Sequence, residues 1–137
     1  MELDFNISEG DMSVAGTASS TFKKKLLQLG IDPGIIKKAV ISLYEAEINM
    51  VIHGGGGKVH IDIIPEIATM ILIDKGPGIP DIELAMQEGY STATDRIREM
   101  GFGAGMGLPN IKKNSDFMEI NTKVGEGTTV TIKVKLA

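Results

Sequence analysis

The stretch Lys58-Val59-His60-Ile61-Asp62-Ile63-Ile64-Pro65-Glu66-Ile67-Ala68-Thr69-Met70-Ile71-Leu72-Ile73-Asp74 decides the architecture. Val59, Ile61 and Ile63 alternate with Lys58, His60 and Asp62, the period of two of a half-buried strand. Pro65-Glu66 then makes a short turn. The run beyond it, Met70-Ile71-Leu72-Ile73, is nearly all apolar, as expected of a central strand. Residues 58–64 and 67–74 therefore predict a hairpin, with the second strand inside a larger sheet.

Upstream, Leu3, Phe5 and Ile7 alternate with Glu2, Asp4 and Asn6, which predicts another strand. Residues 11–30 read as a helix, with Phe22, Leu26 and Leu29 at helical spacing and Gly30 as a stop. Asp32-Pro33 is a cap followed by a proline at the first helical position, so a second helix starts there. Its apolar stripe is Ile36, Ala39, Val40, Leu43, Ala46 and Met50, and the Gly54–Gly57 run ends it. Downstream, 108–115 reads as a short helix, and 117–123 and 128–136 as strands around Val124-Gly125-Glu126-Gly127. Val130, Ile132, Val134 and Leu136 point one way, Thr129, Thr131, Lys133 and Lys135 the other. The expected class is α+β: a two-layer sandwich with a mixed, mostly antiparallel sheet and helices on one face.

Composition narrows the function. With 137 residues the chain is expected to form a single domain over 1–137. It holds no cysteine, which excludes disulfides, thiolate zinc sites and cysteine nucleophiles. A net charge of -4 argues against a nucleic-acid partner. An acidic start, with no apolar run near the length of a membrane span, points to a soluble cytoplasmic protein. The only histidines, His53 and His60, lie on different elements, so a histidine metal site is not expected. There is no P-loop pattern and no nucleophile elbow. The unusual number is glycine: 17 residues, 13 of them from Gly54 to Gly127, clustered between well-patterned elements. Such clusters let a backbone approach a ligand closely.

Four polar features remain. Glu45 and Asn49, four apart on the second helix, project from one face. Asp74 ends the most apolar strand and meets Lys75-Gly76-Pro77-Gly78-Ile79, where a carboxylate can accept a ligand amine and Gly78 can lie against a flat ring. Gly101-Phe102-Gly103-Ala104-Gly105-Met106-Gly107-Leu108 leads into a helix, and successive glycine amides there form an anion nest. Thr128 opens the last strand beside Gly127. Taken singly, each has a plain structural reading: an exposed hydrogen-bonded pair, a turn former, a hinge and a turn cap.

Their order is more specific than any one of them. E-x-x-x-N, then D-x-G-x-G-I, then G-x-G-x-G before a helix, then G-T, resembles the ATP-binding fold of gyrase, heat-shock chaperones, histidine kinases and mismatch-repair ATPases, the GHKL or Bergerat fold. The resemblance covers roughly residues 36–132. Glu45-Ala46-Glu47-Ile48-Asn49-Met50-Val51-Ile52-His53-Gly54 is similar to the small anti-sigma factors and serine-protein kinases of bacterial switches. Asp74-Lys75-Gly76-Pro77-Gly78-Ile79-Pro80-Asp81-Ile82, with Gly89-Tyr90-Ser91-Thr92, resembles the stressosome switch kinases.

The resemblance implies ATP and magnesium as cofactors. Glu45 would be the general base and Asn49 the magnesium ligand. Asp74 would read the adenine amine, with Gly76, Gly78 and Ile79 beside the ring. Gly103, Gly105, Gly107 and Leu108 would form the phosphate side, and Thr128 would lie near the adenine. Residues 80–107 would form the ATP lid, including a short helical piece over 81–87 and Ala93–Met100, longer than the stressosome kinases lead one to expect. Arg96 and Arg98 there read as solvated lid charges, with a γ-phosphate clamp the alternative. The implied activity is serine/threonine phosphorylation of a STAS-domain anti-anti-sigma partner; the alternative is sequestration of a sigma factor with nucleotide as a switch. The resemblance leaves room for a homodimer. A detached histidine-kinase domain fits less well, because only 31 residues precede Asp32 and an asparagine usually stands where Glu45 does. A gyrase-like ATPase also fits less well, with no second domain expected after Leu136.

Overall fold

The computed structural model describes residues 1–8, 15–52, 55–76 and 107–137. Its elements are β1 (Glu2–Ile7), α1 (Thr17–Gln28), α2 (Pro33–Ile52), β2 (Gly57–Ile63), β3 (Ile67–Asp74), α3 (Gly107–Asn114), β4 (Phe117–Lys123) and β5 (Gly127–Lys135). The five strands form one sheet in the order β1-β2-β3-β5-β4. All its pairings are antiparallel, where the sequence allowed a mixed sheet.

The predicted hairpin is present and β3 is central. Ile64 and Ile67 exchange both backbone hydrogen bonds across Pro65-Glu66, at 3.1 and 3.2 Å. That two-residue turn sets the register, so Val59 faces Leu72 and Ile61 faces Met70. The inward rows, Val59-Ile61-Ile63, Ala68-Met70-Leu72 and Ile132-Val134-Leu136, are all buried. The helices pack on this face, and Lys58, His60, Asp62, Thr129 and Lys133 lie on the other. The α+β two-layer sandwich is the observed class.

Helix α2 starts as its sequence predicts. Asp32 Oδ2 accepts the N–H groups of Gly34 and Ile35 at 3.0 and 3.3 Å. Ile36, Ala39, Leu43, Ala46 and Met50 are buried in the core, with Val40 partly buried against it. Helix α1 is shorter than predicted. It begins at Thr17, and residues 9–14 lie outside the described region. Leu29, expected in its apolar stripe, is instead the C-cap and 48% exposed. The chain turns out of the helix at Gly30 (φ 72), and Gly30 and Ile31 donate to the Leu27 and Leu26 carbonyls. That reversal packs Ile31, partly buried, against the core in place of Leu29. Among the described residues no helix is long and apolar enough to cross a membrane.

The contact that seats α1 is one the sequence reading passed over. Glu47 is fully buried, and its carboxylate meets the N-terminus of α1. Oε2 accepts from Gly16 N–H at 3.0 Å and Ala18 N–H at 3.2 Å. Oε1 accepts from Ser19 N–H at 3.2 Å and the Ser19 hydroxyl at 2.7 Å. A buried carboxylate is costly unless its lone pairs are used, and here they satisfy amides that a helix start leaves unpaired. The positive end of the helix dipole adds to the attraction.

On the outer face, His60 gathers the acidic residues of the edge. Its Nδ1 is 2.7 Å from Asp4 Oδ1 and its Nε2 is 3.6 Å from Glu2 Oε1. The Asp4 hydrogen bond, and then the charges of Asp4, Glu2 and Asp62, hold the imidazole above its ordinary value of 6.5.

Two predictions follow from this packing. Glu47→Ala should lower the unfolding free energy by about 2–4 kcal/mol, because four donors lose a charged acceptor. Urea denaturation measures it, and a change within error would show that the clamp contributes nothing. For His60, the folded state favours the protonated ring. Its contribution is therefore full below the ordinary imidazole value and lost as pH rises through the raised one. Thermal midpoints from about pH 6 to about pH 8 should fall more in wild type than in His60→Gln. Parallel curves would exclude the contact as a stabiliser.

Candidate functional site

Two groups of polar residues meet where α2, α3 and the end of β3 converge. The first lies between α2 and α3. The i,i+4 spacing sets Glu45 and Asn49 on one face of α2, and α3 packs against that face. Asn110, on α3, donates from Nδ2 to Glu45 Oε1 at 3.4 Å. Asn49 lies against Gly107, the first residue of α3. A Cβ at position 107 would come within 2.8 Å of both the amide nitrogen and the amide oxygen of Asn49, so a side chain there would displace the Asn49 amide from its present position. Glu45 and Asn49 are both half-buried. Burial raises the pKa of Glu45 above the ordinary carboxyl value, and the Asn110 hydrogen bond partly opposes it. Among the described residues the Asn49 amide has no hydrogen-bond partner. Leu108, in the first turn of α3, packs partly buried against the core.

The second group lies at the end of the sheet. Asp74 Oδ1 accepts the N–H of Gly76 at 3.0 Å and of Thr128 at 3.0 Å. Among the described residues Oδ2 has no partner. Gly127 (φ 123) brings the start of β5 so close that a Cβ there would strike the Asp74 carbonyl oxygen. Thr128 is buried, and its hydroxyl lies 2.9 Å from that of Thr122 on β4.

Two backbone hydrogen bonds join the groups. Gly56 donates to Met50, one residue beyond Asn49, at 3.3 Å, and Lys75, one beyond Asp74, donates to Gly56 at 3.4 Å. The glycine run after α2 thus ties the helix end to the exit of β3.

The structure therefore brings Glu45, Asn49, Gly107 and Leu108 to one junction, and Asp74, Gly76 and Thr128 to the adjoining one. Gly78, Ile79, Gly103 and Gly105, the helical piece over 81–87, Arg96, Arg98 and the lid residues 80–106 lie outside the described residues. Gly107 proves to be the first residue of a helix and not only part of a turn. Two neighbours were not singled out from sequence. Asn110 follows the glycine run by one helical turn, and Thr122 is the inward residue of β4 beyond Met118 and Ile120; a period count would have flagged both.

The arrangement has the chemistry of a nucleotide site. An acceptor at a buried strand end suits an exocyclic amine, an amide oxygen with no partner among the described residues suits a hard cation, and a carboxylate of raised pKa suits proton transfer.

Comparison with known proteins identifies the family. Residues 36–137 match the family described as histidine kinase-, DNA gyrase B-, and HSP90-like ATPase. The chain is 30% identical over 128 residues to the serine/threonine-protein kinase RsbT of Bacillus subtilis (strain 168), covering 90% of this chain and 88% of the kinase. It is 31% identical over 143 residues to the anti-sigma F factor of Clostridium beijerinckii, covering 98% of this chain and 93% of that factor. Among solved structures, the RsbU and RsbW domains of a Mycobacterium tuberculosis protein superpose with a TM-score of 0.67 at 18% identity. That match covers 99% of this chain and 32% of the longer one, and it speaks to fold alone. The chain belongs to the histidine kinase-, DNA gyrase B- and HSP90-like ATPase family.

Proposed function

We propose that the chain is a magnesium-ATP-dependent serine/threonine protein kinase acting on a small regulatory partner of the STAS-domain, anti-anti-sigma type. The observation that carries the reading is Glu45, half-buried at the α2–α3 junction, its pKa raised by burial, one helical turn from the Asn49 amide, which has no hydrogen-bond partner among the described residues. A base works best when its pKa lies near the operating pH, and burial moves a carboxylate that way.

The site fits the nucleotide on its own features. Asp74 Oδ2 would accept from the adenine amine, while Oδ1 is held by the Gly76 and Thr128 amides. Asn49 Oδ1 would hold magnesium, and Gly107 leaves no side chain between that amide and the start of α3. Bound ATP supplies a transferable γ-phosphoryl group. Glu45 would orient a serine or threonine hydroxyl of the partner and take its proton as the hydroxyl oxygen bonds to the γ-phosphorus and the bond from that phosphorus to the β–γ bridging oxygen breaks, releasing ADP.

A second reading has its own support: several relatives, including that of Thermoanaerobacter sp. at 34% identity, are named anti-sigma F factor. On that reading the chain sequesters a sigma factor and nucleotide acts as a switch.

Phosphate transfer from labelled ATP to a STAS-domain partner separates the two. Glu45→Ala should slow transfer by roughly 10²–10⁴-fold while leaving ATP affinity nearly intact. Transfer at the wild-type rate would remove Glu45 as the base. Tight ATP binding by wild type with no transfer to any cognate partner would favour sequestration. Asp74→Asn should weaken ATP binding about tenfold or more, since a ligand amine loses its charged acceptor. Unchanged calorimetric affinity would take Asp74 out of the site.

A further inference from the structure

Helix α3 turns one polar side chain toward α2 that helix formation does not call for. Pro109 and Ile111 are buried, and Asn110 between them is half-buried. Asparagine is a poor helix former, and an amide turned toward another helix has to find a partner. Among the described residues the partner of its side chain is the Glu45 carboxylate, with Nδ2 3.4 Å from Oε1. An ionised carboxylate only accepts, so the amide nitrogen is the end that faces it.

The two helices meet in a set register. Gly107 faces Asn49, and Asn110, one turn further along α3, faces Glu45, one turn back along α2. The backbone of Asn110 is itself tied, its carbonyl accepting the Asn114 side-chain amide at 2.8 Å. Glu45 ends a side chain of several torsions, and a carboxylate with no tether samples many positions. The Asn110 amide engages Oε1, and among the described residues Oε2 has no partner. A carboxylate held at one oxygen and open at the other has a defined direction in which to take a proton.

We propose that Asn110 is a positioning residue for the transfer reaction: its side-chain amide holds Oε1 of Glu45 so that Oε2 faces the acceptor hydroxyl. The inference rests on the kinase reading of the same site and adds a residue that acts only through Glu45. The charged and titratable neighbours do other things. Glu47, on the opposite flank of α2, is engaged by the α1 amides. Lys112 and Lys113 lie in the last turn of α3, beyond Asn110. Tyr44 is raised by burial and then by the charges of Glu45 and Glu47, so it stays neutral while Glu45 titrates.

The test replaces the donor and reads Glu45 in two ways. Asn110→Leu keeps the shape, removes the donor and has the better helix propensity, so α3 is not weakened. Asn110→Asp sets a second carboxylate beside the first, and serves if the leucine variant does not fold. The first readout is the pH titration of the Glu45 side-chain carboxyl resonance in the protein alone. The hydrogen bond opposes the effect of burial, so its midpoint should rise in Asn110→Leu and further in Asn110→Asp. The second readout is transfer of labelled phosphate from magnesium-ATP to the STAS-domain partner. On the alkaline plateau, with Glu45 ionised in each protein, kcat should fall roughly 10- to 100-fold in Asn110→Leu. KM for ATP should stay nearly unchanged, and the acid limb of the rate profile should follow the midpoint to higher pH. A midpoint that moves while plateau kcat keeps its wild-type value overturns the positioning role. So do a midpoint and a kcat that both stay unchanged, since Asn110 then only fills space. Wild type that binds ATP and transfers nothing overturns the kinase reading and this inference with it.

Discussion

Helix α2 has to be buried on three sides at once, and the rest of the structure follows from how its residues are shared among those sides. Ile36, Ala39, Leu43, Ala46 and Met50 go down into the core. Glu47 turns to α1 and holds its first amides. Glu45 and Asn49 turn to α3. Glu45 and Glu47 are two residues apart, so the helix puts one carboxylate on each flank. One is fully buried and spent on structure. The other is half-buried and, among the described residues, held by a single amide hydrogen bond of 3.4 Å, which leaves it able to act.

That division also explains the unequal legibility of the sequence. The β2–β3 hairpin could be read in full, because alternation, a proline turn and an apolar run are local signals that nothing distant overrides. The start of α2 was as plain, since Asp32 and Pro33 act within one turn of themselves. Glu47 was not legible. A glutamate within a helix ordinarily reads as a solvated charge, and its burial depends on where α1 begins, a tertiary matter. Leu29 misled for a related reason: the spacing was helical, but Gly30 had already reversed the chain. Asp74 stood out because a carboxylate at the end of an apolar strand is conspicuous. Its neighbour Thr122 did not, because a threonine is at home in any strand and shows its contact with Thr128 only when β4 lies beside β5.

The two halves of the site differ in the same way. The sheet end is rigid and preorganised: Asp74 is held by two amides and Thr128 by a carboxylate on one side and a hydroxyl on the other. Among the described residues the α2–α3 half is held by packing against Gly107 and by one long hydrogen bond. A fixed end suits recognition of a base, and a more lightly held end suits a group that must meet changing charge during transfer. Gly56 links them, so the two ends share one frame.

The most direct measurement of that frame is the response of backbone and side-chain amide resonances to nucleotide. Magnesium-ATP should shift Gly76 and Thr128, whose amides hold Asp74, together with Gly107 and the side-chain amide of Asn49. Adenosine alone should shift only the first pair. The amides of Gly16, Ala18 and Ser19, engaged by Glu47, should stay where they are. Shifts that leave both Thr128 and Asn49 unmoved, under saturating magnesium-ATP, would contradict a nucleotide site at this junction.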